Sequence, residues 1–184
     1  MRLFVAVELP RTVRDELAHW ARAALGRGAN PRRLDVGALH LTLCFLGEQD
    51  PAAVAAIAGV LSACAGRLAA VEELALGAPL WLPTRNPRVL AVGVGDPTGA
   101  LGALQDALAG ELARLLGWDR RRERFRPHVT VARMRPGSHR ARALPPTPAL
   151  RFAPAAATLF RSTLDPDGAR YEPLASEARI PSAP

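Results

Sequence analysis

Lysine is absent from this chain: every one of its 24 basic side chains is an arginine. Cysteine is nearly absent, with two copies, and the aromatic residues are few, with one tyrosine and five phenylalanines. Each shortage excludes something. Cys44 and Cys64 stand outside any CxxC spacing and no secretory pattern surrounds them, so neither a disulfide framework nor a zinc site of the finger type is expected. With aromatics at 5% of residues, Leu, Val and Ala must fill the core, and 49% apolar residues over 184 positions suffice for one. Long hydrophobic runs are missing as well. The opening RLFVAVELP meets Glu8 after a few residues, too soon for a signal peptide. The Ala-rich tract from Ala52 to Gly66 falls short of the ~18 residues a membrane span needs. These absences predict a soluble, cytoplasmic monomer, a single domain over residues 1–184 with no membrane partner.

The missing lysine also weakens charge as a witness. A net charge of +7 favours polyanionic partners such as nucleic acid, yet a GC-rich genome supplies Arg and Ala through codon usage alone. The run Arg120, Arg121, Arg122, Arg124 and Arg126 reads either as a guide for an RNA backbone or as a solvated charged loop.

What is present has a clear order. Arg2–Leu9 reads as a strand, and Pro10 opens a helix with Val13, Leu17, Trp20 and Ala24 on one face. A strand over 38–46 follows, then a helix from about Asp50 to Ala70. EELALGAPLWLP and RVLAVGVG read as two strands joined by the turn TRNP. A helix from about Pro97 to Leu116 leads through the arginine run to a strand at RPHVTVAR. Residues 137–148 read as an exposed loop, and ATLFRSTL and ARYEPLA as a hairpin across DPDG. The mixture predicts an α+β fold with helices covering sheets.

Two of the strands share a motif, His40-x-Thr42 and His128-x-Thr130, separated by 88 residues and each preceded by a helix and a turn. A duplicated, pseudo-two-fold lobe arrangement explains that repetition. Strand side chains alternate faces, so His40, Thr42 and Cys44 should share one face and Leu41, Leu43 and Phe45 the other. His128 and Thr130 likewise oppose Val129 and Val131. If the imidazole faces meet across a cleft, one ring can accept a proton while the other donates one. The two hydroxyls can hold the oxygens of a phosphoryl group, with no metal required. A structural pair on each strand is the plain alternative, and a Cys44/His/His zinc site is another. His19 and His139 lack such a setting and read as surface residues.

The paired motifs resemble those of the 2H phosphoesterases, specifically the bacterial and archaeal RNA 2′,3′-cyclic phosphodiesterases of the 2′-5′ RNA ligase family. MRLFVAVELP is similar to the family's opening strand, LHLTLCFLGE to its first motif, FRPHVTVAR to its second, and LFRSTLDPDGARYEPLA to its closing hairpin. The resemblance implies a bilobal fold in which two pseudo-symmetric antiparallel sheets form a central cleft with helices outside. It implies opening of a ribose 2′,3′-cyclic phosphate at an RNA end, tRNA fragments included, to leave a 2′-phosphate without metal or cofactor. It implies, in reverse, 2′-5′ ligation. His40 would protonate the departing 3′ oxygen, His128 would activate water, and Thr42 and Thr130 would cradle the phosphoryl oxygens. Arg133, Phe45 and Phe125 are further substrate-binding candidates. Strand parity places Arg133 opposite His128 and Phe45 in the core, so Arg133 needs a strand end or bulge to reach the site.

Overall fold

The structure is a computed structural model that describes all residues except 27–30, 33–34, 84, 118–124, 136–142, 166–167 and 181–184. In chain order its elements are β1 (Arg2–Glu8), α1 (Arg11–Leu25), β2 (Pro31–Arg32), β3 (His40–Glu48), α2 (Val54–Ala63), α3 (Ala65–Ala69), β4 (Leu74–Leu82), β5 (Val89–Gly95), α4 (Ala100–Leu116), β6 (His128–Met134), β7 (Arg151–Phe152), β8 (Ala156–Asp165) and β9 (Gly168–Ala178).

The strands run antiparallel in the order β7-β4-β5-β6-β3-β1-β8-β9, with β2 added to β6. This is one continuous sheet rather than two separate ones, and its inner strands correspond across the β6/β3 junction. β1 lies between β3 and β8, and α1 carries the chain from β1 towards β3; β5 lies between β6 and β4, and α4 carries the chain from β5 to β6. The two expected half-sheets are therefore repeats of a strand–helix–strand unit. They join edge to edge where β3 meets β6, through the ladder pair Leu41 with Val129, and β2 adds two further pairs to β6.

Helix burial follows helical period. α1 buries Val13, Leu17, Trp20, Ala21 and Ala24, and Gly26 ends it at φ 65°. α4 buries Leu101, Leu104, Leu108, Ala109 and Leu112. Both helices pack into one cluster with Leu3, Val5, Val7, Leu41 and Val129 from the sheet. Each leucine withdrawn from water here contributes about 1.5–3 kcal/mol. This leaves the opposite face of β3 and β6 free of helices and open for chemistry.

Several boundaries differ from the sequence expectation: the strand expected over 38–46 is β3 at His40–Glu48, and β2 and β7 were not expected. The helix expected over 50–70 is a 3-10 turn at Pro51–Ala53 followed by α2 and α3, with a break at Cys64. The helix expected from Pro97 starts at Ala100, because Gly99 takes φ 75°. The Asp96 carboxylate there accepts from the amides of Leu101 and Gly102. The β8–β9 hairpin and the β4–β5 pair form as expected. Within the proline-rich stretch, residues 143–148 carry no regular structure, and the Pro146 carbonyl accepts from Trp20 Nε1 at 2.9 Å.

Candidate active site

The seam pair Leu41–Val129 decides the geometry. Both side chains are fully buried on the helix-covered face. Extending that antiparallel register by one residue on either side sets His40 across from Thr130 and Thr42 across from His128. The two motifs thus lie side by side at the seam on the open face, where the charge of His128 acts on His40, and all four residues are half-buried. Small residues flank the hydroxyls. Ala6 of β1 pairs with Thr42, and Ala91 of β5 pairs with Thr130.

The two imidazoles are held alike. His40 Nδ1 lies 2.7 Å from the Ala38 carbonyl, and His128 Nδ1 lies 2.8 Å from the Arg126 carbonyl. A carbonyl only accepts, so Nδ1 carries the hydrogen in both rings. Each neutral ring then keeps its lone pair on Nε2. Nε2 is the proton-transfer atom of both.

Beyond the threonines the strands depart from simple alternation in the same way. β3 opposite β1 skips between Val5–Cys44 and Ala6–Thr42, leaving Leu43 extra; β6 opposite β5 skips between Leu90–Ala132 and Ala91–Thr130, leaving Val131 extra. A β-bulge of one residue reverses face parity beyond it. Cys44 is therefore buried in the core rather than beside His40, which dismantles the Cys44/His/His alternative. Among the described residues no three His, Cys, Asp or Glu side chains gather as a metal site. Phe45 is 54% exposed instead of buried. Arg133 is exposed, and its charge acts on His40. The bulge that Arg133 needed is there. Phe125, by contrast, packs half-buried against the core cluster. Of the arginine run, Arg126 is exposed and lends its carbonyl to His128; Arg120, Arg121, Arg122 and Arg124 lie outside the described residues, as does His139.

His40 and His128 differ in their surroundings. The His40 ring lies against Phe4, with centroids 4.9 Å apart, and meets the chain's one tyrosine, Tyr171, edge-on at 5.1 Å. Phe4 also stacks on Phe160 at 5.2 Å and touches Phe45 at 5.7 Å. Scarce aromatics are thus concentrated at one histidine. Burial pushes the His40 pKa below its ordinary value; the Ala38 carbonyl opposes this, and the charges of Arg133 and His128 add to it. Sequence reasoning missed Phe4, Phe160 and Tyr171. The period-two face Phe4/Ala6/Glu8 was a signal for the first of them, masked because β1 is apolar on both faces.

A cleft of about 650 Å³ opens beside His40, walled by Glu8, Arg14, Asp35, Phe160, Arg170 and Tyr171. At its edge Glu8, which pairs with His40 across β1 and β3, accepts a hydrogen bond from the buried Thr158 hydroxyl. Thr158 also shares a 2.8 Å bond with Ser176 Oγ.

The family model described as the 2′-5′ RNA ligase superfamily matches residues 9–165. The chain belongs to this superfamily. Among superfamily relatives, the Escherichia coli K12 protein named RNA 2′,3′-cyclic phosphodiesterase is 33% identical over 94% of this chain and 93% of its own length. A Thermotoga maritima protein of the same name is 27% identical over 95% and 93%. The crystal structure of E. coli LigT complexed with 3′-AMP superposes with a TM-score of 0.75 at 30% identity, covering 97% of both chains. A Thermus thermophilus crystal structure superposes with a TM-score of 0.76 at 29% identity over the whole of both chains. The superfamily fold, a curled antiparallel sheet with few helices, is the one described above.

Proposed function

We propose that this protein opens a ribose 2′,3′-cyclic phosphate at an RNA end, giving a 2′-phosphate and a free 3′-hydroxyl. What carries the reading is the quartet at the seam: two imidazoles anchored alike through Nδ1 on adjacent strands, each with a threonine two residues on. The names of the E. coli and T. maritima relatives support the substrate class. In the hydrolytic direction His128 Nε2 takes a proton from water as it attacks phosphorus, while protonated His40 Nε2 gives a proton to the departing 3′ oxygen. Thr42 and Thr130 hold the non-bridging oxygens as charge develops, and Arg133 adds a cation on the same face. Phe45 offers an exposed ring on which a base can stack. Burial disfavours the charged form of His40, and an arriving phosphate anion favours it. No step calls for a metal. Ligation of a cyclic phosphate end to a 5′-hydroxyl is the same path reversed, subordinate to hydrolysis because water is the abundant acceptor. The reading takes the chain as one catalytic domain, a cytoplasmic monomer acting on RNA ends such as those of tRNA fragments.

The test is incubation with a short RNA ending in 2′,3′-cyclic phosphate in the presence of EDTA, with the product identified by mass and phosphatase sensitivity. A 2′-phosphate is expected. A 3′-phosphate would reverse the leaving group, loss of activity restored by zinc would bring in a metal, and RNA bound but unopened would leave a binding protein.

A further inference from the structure

We propose that Arg14, in the wall of the cleft beside His40, forms a second phosphate subsite, for the phosphodiester on the 5′ side of the terminal nucleoside. The inference rests on the reading above and deepens it. A nucleoside with a 2′,3′-cyclic phosphate is joined to the rest of its RNA only through its 5′-phosphate. An RNA end placed at the quartet therefore brings a second anion, one nucleoside away.

The cleft has room for that nucleoside. Its volume of about 650 Å³ exceeds the needs of one phosphate and lies within the ~300–1,000 Å³ typical of small-molecule sites. The Tyr171 and Phe160 rings give it an apolar wall continuous with His40. Arg14 brings the charge. A guanidinium has five N–H donors in a planar fork matched to phosphate. The one hydrogen bond it makes among the described residues is long, from Nη1 to the Gly37 carbonyl at 3.4 Å. Its Nε is buried with no hydrogen-bond partner among the described residues. It forms no ion pair among the described residues, whereas Arg11, one turn earlier and 88% exposed, pairs with Asp15 at 3.7 Å. A partly buried guanidinium with most donors unspent is unfavourable until an anion arrives. The plain alternative is that Arg14 only props the 35–39 segment through Gly37.

The experiment compares the affinities of adenosine 2′-phosphate and adenosine 2′,5′-bisphosphate by calorimetry. For the unmodified protein the 5′-phosphate is expected to tighten binding about tenfold, the scale of one charge-assisted contact. Arg14→Gln should erase that advantage and leave the affinity for adenosine 2′-phosphate within about twofold. Arg14→Lys should keep part of it, as a point charge without the fork. Arg11→Gln, which removes the same charge from the same helix, should change neither affinity. The inference is overturned if the 5′-phosphate brings no advantage or the advantage survives Arg14→Gln. It is equally overturned if Arg11→Gln acts like Arg14→Gln, since net charge then explains the effect, or if Arg14→Gln weakens both ligands alike. Failure of the catalytic reading would look different: the Arg14-dependent advantage would persist in a protein that opens no cyclic phosphate.

Discussion

Two histidines with one sequence motif and one anchoring bond are chemically unequal here, because among the described residues aromatic rings surround His40 and not His128. Replacing either by alanine should lower turnover of the cyclic phosphate by about 10²-fold or more, the range of general acid–base catalysis. The double replacement should cost little beyond either single one, since the rings act as a unit. Steady-state kinetics on one substrate reads all three. A substrate whose 3′ bridging oxygen is replaced by sulfur needs no acid to expel its leaving group, so it should restore much of the rate to His40→Ala and little to His128→Ala. Rescue of His128→Ala in its place would exchange the roles. The pH dependence has a fixed sign. Turnover needs one proton on the pair, and because burial disfavours the charged form of His40, the doubly protonated, unproductive state forms only below the ordinary histidine range. The acidic limb of kcat/KM should therefore lie below about 6.5. Arg133→Ala removes a cation acting on His40, so the His40 pKa rises and that limb should move to higher pH. A limb that stays in place would separate Arg133 from the site.

At the scale of elements, one extra residue in each strand does the sorting. Leu43 and Val131 are the bulge residues, and without them Phe45 and Arg133 would point into the helix-covered core. Bulged alternation is hard to read in sequence. Leu43-Cys44 and Val131-Ala132 are apolar pairs that suit a core whichever way they face. The clue lay in Arg133 itself, a charge that simple alternation would have buried. Helix ends were misread for a related reason: Gly99 and Cys64 interrupt runs whose apolar periodicity continues across them. Between β3 and β6 the seam has one ladder pair, beside the two that β2 makes with β6. Leu41→Ala should cost about 2–5 kcal/mol, as a fully buried leucine replaced by a cavity does, and chemical denaturation measures it. A cost under about 0.5 kcal/mol would mean the two half-sheets do not depend on that contact.

At the scale of the molecule, the meeting of β3 and β6 brings a duplicated motif into one candidate site. Each half supplies one histidine and one threonine, and neither half holds the quartet alone. The asymmetry of the halves has consequences for RNA. The aromatic rings and the cleft lie on the β1–β8–β9 side, so the nucleoside is expected there. With a net charge of +7 and no lysine, affinity for short RNA should fall linearly with salt on logarithmic axes. Arg14→Gln should reduce that slope by about 0.7, the share of one phosphate contact on a single strand. An unchanged slope would detach Arg14 from the RNA backbone.

The α+β class, the order of the main elements, the doubled motif and the candidacy of His40, Thr42, His128 and Thr130 were determined by the sequence, because period-two and helical periodicities report which face each side chain takes. The meeting of the two motifs was decided by the tertiary structure, since a seam between β3 and β6 brings together residues 88 positions apart that no local pattern links. The exposure of Phe45 and Arg133 was decided there too, because a bulge exists only relative to the partner strand. So was the difference between the two histidines: Phe4, Phe160 and Tyr171 come from opposite ends of the chain, and only folding sets them around one imidazole.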